Sequence, residues 1–173
     1  MNKPDFVYTT YIRTTPEKVW SAITNVEFNR QYWKYELKSD WKKGSKWTSI
    51  SPEGTEGKIH GEILESNPPK LLVMTWQTPE NPADKSRVTF DIESIVEATE
   101  LMTRLTVTHD QLSDEMASRI SIGWPRVLSS MKSYLETGVP LDTMAGKTTC
   151  DSSKNACSSS AVACDSSKET VKA

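Results

Sequence analysis

No cysteine occurs before position 150, and the chain holds only two histidines, His60 and His109. That excludes a disulfide-stapled body and a buried Cys–His catalytic pair. No apolar run approaches the roughly 18 residues that a membrane-spanning helix needs. The N-terminal stretch MNKPDFVYTT lacks a signal peptide's continuous apolar segment, so a cytoplasmic protein is expected. Charge is nearly balanced, with 21 Lys and Arg against 23 Asp and Glu, and no basic stripe stands out. Neither nucleic acid nor a membrane is therefore an expected partner. The HExxH, GxSxG, GxGxxG and Walker-type signatures are missing as well. No cofactor is expected.

What the chain does have is tryptophan. Six of them, Trp20, Trp33, Trp41, Trp47, Trp76 and Trp124, lie in the first 140 residues. Large aromatics serve cores and the walls of binding cavities. The composition changes from Gly146 onward, where no aromatic, Leu, Ile or Met remains. Such a segment buries too little apolar area to offset its ordering entropy. Residues 1–142 are therefore expected to form one domain, and 143–173 a disordered tail.

Within the domain, FVYTTYIR (6–13) alternates and is rich in β-formers, which predicts a strand. Thr15, Pro16 and Glu17 then open a short helix that Asn25 ends. A second short helix is expected over EFNRQYW (27–33). After it the hydrophobic period falls to two. Strands are predicted over 35–41, 46–51, 58–66, 70–78, 86–95 and 102–109, separated by turn sequences such as KKG and NPP. Short turns between consecutive strands favour an antiparallel meander. Ser113 is placed to cap a last helix that ends at Gly138. Trp124, Val127, Leu128, Met131 and Leu135 share one face of it. The Gly123-Trp124-Pro125 step predicts a break, with the helix proper restarting there.

This order predicts an α+β helix-grip fold: a curved seven-stranded antiparallel sheet around a long C-terminal helix, with two short helices after the first strand. A bent sheet and a straight rod do not meet along their whole length, so a gap between them is the natural ligand site. Trp124, Leu128 and Met131 are expected as its helix wall. Trp76, Met74 and Phe90 are expected as its sheet wall, with Trp47 on an early strand. Trp33 would guard the entrance, and His109, facing inward by alternation with Val107 and Leu105, would supply a polar contact.

The stretches YIRTTPEKVWSAIT (11–24), SDWKKGSKW (39–47), GEILESNPPKLLVMTW (61–76), TRLTVTHD (103–110) and GWPRVLSSMKSYLETG (123–138) carry a family resemblance. The chain resembles the SRPBCC (START/Bet v-like) superfamily. Within it, the chain is similar to the branch of homologues of the activator of the 90-kDa heat-shock chaperone ATPase. The resemblance implies the helix-grip fold. It also implies a chaperone as a partner and a homodimer as a possible assembly. It transfers no catalytic residue.

Three function classes remain. The first is binding of a small hydrophobic or amphipathic ligand between sheet and last helix. The second is surface interaction with a chaperone ATPase. The third is capture of a soft metal or metalloid by Cys150, Cys157 and Cys164, whose thiolates are soft ligands. Their steps of seven differ from the CxxC spacing of structural zinc sites, and a thiol tail without a role in folding is the plainer reading. An enzymatic reading would rest on Glu62 and His109 alone, as an acid–base pair.

Overall fold

A computed structural model describes residues 5–79, 81–97 and 100–142. Ten elements follow one another: β1 (Phe6–Ile12), α1 (Pro16–Thr24), α2 (Val26–Tyr32), β2 (Glu36–Lys38), β3 (Lys46–Ile50), β4 (Glu56–Asn67), β5 (Leu71–Thr78), β6 (Asn81–Glu97), β7 (Glu100–Asp110) and α3 (Asp114–Thr137). The seven strands form one antiparallel sheet in the order β1-β7-β6-β5-β4-β3-β2. The predicted α+β helix-grip architecture is therefore the observed one.

Local chemistry explains most boundaries. Asn25 ends α1 and caps α2, its side chain accepting from the Glu27 and Phe28 amides. Ser113 accepts from the Met116 amide and so caps α3. Gly138 closes α3 in the left-handed region, φ 77°, which glycine enters without a Cβ clash. Register shifts between Thr48 and Ile50, Ile63 and Glu65, and Trp76 and Thr78 fall in neighbouring strands. Each such bulge bends its strand, which is how this half of the sheet curls over the helix.

Two expectations about element bounds need correction. The helix does not break at Gly123-Trp124-Pro125; α3 runs unbroken for 24 residues with Pro125 inside it. An internal proline costs about 3 kcal/mol. The apolar stripe crosses it, with Ile120 buried before and Trp124, Val127, Leu128 and Met131 buried after. At roughly 1.5–3 kcal/mol per buried large side chain, holding that stripe in register outweighs the proline. Strand β2 has three residues rather than seven. Trp41 takes a left-handed conformation, φ 59°, while the Ser39 hydroxyl receives its amide and the Asp40 carboxylate receives that of Lys42. Those side chains turn the backbone out of the sheet.

The inner sheet face and α3 bury one continuous core, including Ile12, Trp47, Ile63, Leu72, Met74, Val88, Phe90, Leu105, Leu128 and Met131. The β1 edge is partly covered. Lys132 of α3 donates to the Tyr11 carbonyl, and Glu136 accepts the Arg13 amide at 2.8 Å. Helix side chains thus occupy backbone groups that an edge strand would otherwise offer to another chain.

Candidate functional site

All nine residues expected to line a cavity are buried and meet in one cluster. Trp33, Trp47, Met74, Trp76, Phe90, His109, Trp124, Leu128 and Met131 are each less than a tenth exposed. The expected walls touch. Trp76 of the sheet lies 5.5 Å from Trp124 of the helix between ring centroids, and Phe90 meets Trp124 edge-on at 5.6 Å. Trp47 is 5.2 Å from Trp76, and Trp33 stacks on Trp76 at 6.1 Å. Aromatic pairs favour such offset and edge contacts.

His109 sits fully buried inside this cluster. The Trp124 indole N–H donates to His109 Nδ1 at 3.2 Å. His109 Nε2 and Ser86 Oγ are 2.8 Å apart, and Ser86 Oγ donates to the Trp76 carbonyl at 3.1 Å. An indole nitrogen can only donate, so Nδ1 is the acceptor. The Ser86 proton is given to Trp76, so Nε2 carries the other one. The ring is thereby set as the neutral Nε2–H tautomer. This chain of bonds joins α3, β7, β6 and β5. It also excludes activation of Ser86 in this state, because a nucleophile's base must present its lone pair to the hydroxyl, and His109 presents a proton there. Glu62 is solvent-exposed on β4, whereas His109 is fully buried. The structure does not bring these two together as an acid–base pair.

Of the nine, Trp76 also reaches an open groove. The groove, of about 250 Å³, lies between the first half of α3 and strands β4 and β5. It is lined by Tyr35, Lys58, Ile59, Trp76, Thr78, Met116, Arg119 and Ile120. Its floor is the outer edge of the aromatic cluster, since Trp33 packs against both Trp76 and Tyr35. Trp76, Thr78 and Ile120 are buried; Lys58 and Arg119 stand exposed on opposite walls. Two other hollows differ in character. One of about 310 Å³ holds Arg13, Glu100, Lys132 and Glu136, whose charges are already paired with one another. One of about 510 Å³ is lined by Trp20, Asp40, Trp41, Lys42, Lys43, Ser66 and Pro68, and contains no residue of α3.

Seven of the groove residues escaped the sequence reading. Met116, Arg119 and Ile120 follow the i, i+3, i+4 rule that identified Trp124, Val127 and Leu128. They were hidden by treating Pro125 as the helix start. Lys58, Ile59 and Thr78 carry no local signal, because only the strand pairing sets them against α3. Gly61 was also missed. A Cβ there would stand 2.0 Å from the Thr75 carbonyl oxygen and 2.6 Å from Trp47 Nε1. Its bare backbone makes room for the 2.9 Å bond from the Trp47 indole to that carbonyl.

Two buried polar residues fix the groove's far support. Asn29 donates to the Ala22 and Ile23 carbonyls and accepts the Leu37 amide, tying α1, α2 and β2 together. Tyr32 donates to the Ala22 carbonyl at 3.0 Å. Burial holds its phenol well above the usual tyrosine range, with Asn29 opposing in part. Among the described residues no three His, Cys, Asp or Glu side chains converge as a metal site. Cys150, Cys157 and Cys164 lie outside the described residues. Among those residues no helix is long and apolar enough to cross a membrane.

Comparison with known proteins places this geometry in a family. No curated protein matches the sequence. Among solved structures, an HSP90 activator from Plasmodium falciparum is 26% identical, with a TM-score of 0.62, covering 75% of this chain and 94% of that one. The Aha1 dimer from Colwellia psychrerythraea is 21% identical, with a TM-score of 0.58, over 77% and 96%. CalU16 from Micromonospora echinospora is 22% identical, with a TM-score of 0.54, over 70% and 69%. The last two likenesses show the fold alone. The family model "Activator of Hsp90 ATPase homolog 1-like protein" matches residues 13–136, well over half of the chain. The chain belongs to the family of activator of Hsp90 ATPase homolog 1-like proteins.

Proposed function

We propose that this protein binds a small molecule with an apolar body at the open end of the sheet–helix interface. One observation carries the reading: the groove beside Trp76 has a floor of packed aromatic rings. Its volume lies just under the roughly 300–1,000 Å³ of drug-sized sites, which suits a compact ligand. Trp76 is the contact wall. Trp33, Trp47, Met74, Phe90, His109, Trp124, Leu128 and Met131 stand behind it, and would line a deeper site where the ring cluster opens. The test is a titration of tryptophan emission with a panel of mono- and bicyclic compounds, on the wild type and on Ile120→Arg. A saturable change that Ile120→Arg abolishes supports the reading. A response that survives this substitution places the ligand elsewhere and overturns it.

The family match and the 26% likeness to an HSP90 activator favour a second reading, a chaperone partner. It predicts binding to a 90-kDa heat-shock chaperone and stimulation of its ATPase. A pull-down and an ATPase assay that both come back blank dispose of it. A homodimer belongs with this reading, and sedimentation velocity reads it directly. Either role suits a protein of the cytoplasm.

A further inference from the structure

Resting on the groove reading above, we infer that the ligand is an organic anion, a compact carboxylate with a flat apolar body. Two cations face the groove from opposite sides, Lys58 on β4 and Arg119 on α3, and none of the eight lining residues is acidic. Among the described residues neither cation has an ion pair. Of the six arginines, Arg13, Arg30, Arg87 and Arg104 do, whereas Arg119 and Arg126 do not among the described residues. The acid nearest to Lys58 in sequence is Glu56, on β4 itself, and the one nearest to Arg119 is Glu115, one turn ahead of it; Glu53, before β4, feels the Lys58 charge without forming an ion pair. None of the three lines the groove.

The floor supplies an independent observation. Thr78 is 8% exposed, lines the groove, and its hydroxyl has no hydrogen-bond partner among the described residues. A buried hydroxyl without a partner costs free energy, so one on a residue that lines an open groove is suited to take up a polar atom of a ligand. A carboxylate accepts from a hydroxyl, from an ammonium and from a guanidinium, and so matches all three donors. Trp76 and Tyr35 offer ring surface for a flat body, and Ile59, Met116 and Ile120 complete the apolar lining. An aliphatic cation would meet two like charges here, and a neutral body would leave both unpaired.

The experiment compares 3-phenylpropionate with its neutral isostere, 3-phenylpropionamide, by titration calorimetry at low salt. The full-length wild type, Arg119→Gln, Lys58→Gln and Thr78→Val are each measured. The expected result is an acid that binds about tenfold or more tightly than the amide, given two partly solvated cations. The preference should shrink several-fold in Arg119→Gln and Lys58→Gln, with the acid losing more affinity than the amide and the melting temperature unchanged. Thr78→Val should weaken the acid more than the amide. Equal binding of acid and amide in this groove overturns the anion inference and leaves the groove reading standing. No binding of either compound at 10-fold excess over about 1 mM protein overturns both. An acid preference that survives the Arg119→Gln, Lys58→Gln double substitution also overturns the inference.

Discussion

Ser86→Ala is the cleanest perturbation of the buried centre. It removes one oxygen and leaves the ring cluster's shape intact. Ser86 is 2% exposed, and its hydroxyl both receives the His109 Nε2 proton at 2.8 Å and donates to the Trp76 carbonyl at 3.1 Å. The Trp76 carbonyl keeps a second lone pair, so the dominant loss is the buried bond from the imidazole N–H to Ser86. An unsatisfied buried polar group costs about 1–3 kcal/mol. For a domain of about 140 residues that corresponds to a melting temperature lower by roughly 3–10 °C. Urea unfolding with an unchanged m-value measures the loss. Thr106→Ala is the matched control, because it also deletes a bonded hydroxyl, to Thr9 at 3.2 Å, but on the exposed sheet face. Its cost should stay below about 0.5 kcal/mol. If the two substitutions cost the same, the His109 chain does not contribute as described. A nitrogen-15 spectrum placing the ring proton on Nδ1 would refute the tautomer argument outright.

Gly61→Ala should destabilise by about 3 kcal/mol, because the new methyl collides with the Thr75 backbone and strand β4 must move off β5; a loss under about 1 kcal/mol by urea unfolding would contradict this. Asn29→Ala should cost about 2–4 kcal/mol, since it strips the Leu37 amide and the Ala22 and Ile23 carbonyls of their buried partner; a near-neutral change would show that β2 is held by other means. Tyr32 predicts an alkaline weakness. Its folded pKa is raised, so its contribution is complete below the ordinary tyrosine value of about 10 and is lost as pH rises above it. Unfolding midpoints should fall above that pH, and Tyr32→Phe should flatten part of the decline. Absorbance titration should find one of the five tyrosines resisting ionisation until the chain unfolds.

The fold was largely legible because its signals are local. Period-two strands, turn sequences, the Asn25 and Ser113 caps and the Gly138 stop each act within a few residues. Pro125 misled because local propensity argues for a break, while the stripe from Ile120 to Met131 is a tertiary effect. Alternation alone correctly turned His109 inward. It did not reveal Ser86, since His109 lies opposite Val88 and reaches the next inward residue along β6. The nine residues expected at the cavity meet in one cluster, yet the sequence carried no measure of how tightly their rings would close. The groove was illegible for a related reason. Lys58 and Arg119 stand 61 positions apart in the chain, and only the completed sheet brings them to opposite walls.

Binding is expected beside Trp76, at the open end of the sheet–helix interface. The most direct measurement is a chemical-shift map during titration with 3-phenylpropionate, following the six indole N–H signals and the Ile and Met methyls. Saturable shifts are expected at Trp76, Ile59, Met116 and Ile120, with Trp20 and Trp41 unmoved. Shifts centred on Trp20 and Trp41, or spread evenly over the outer sheet face, would contradict it.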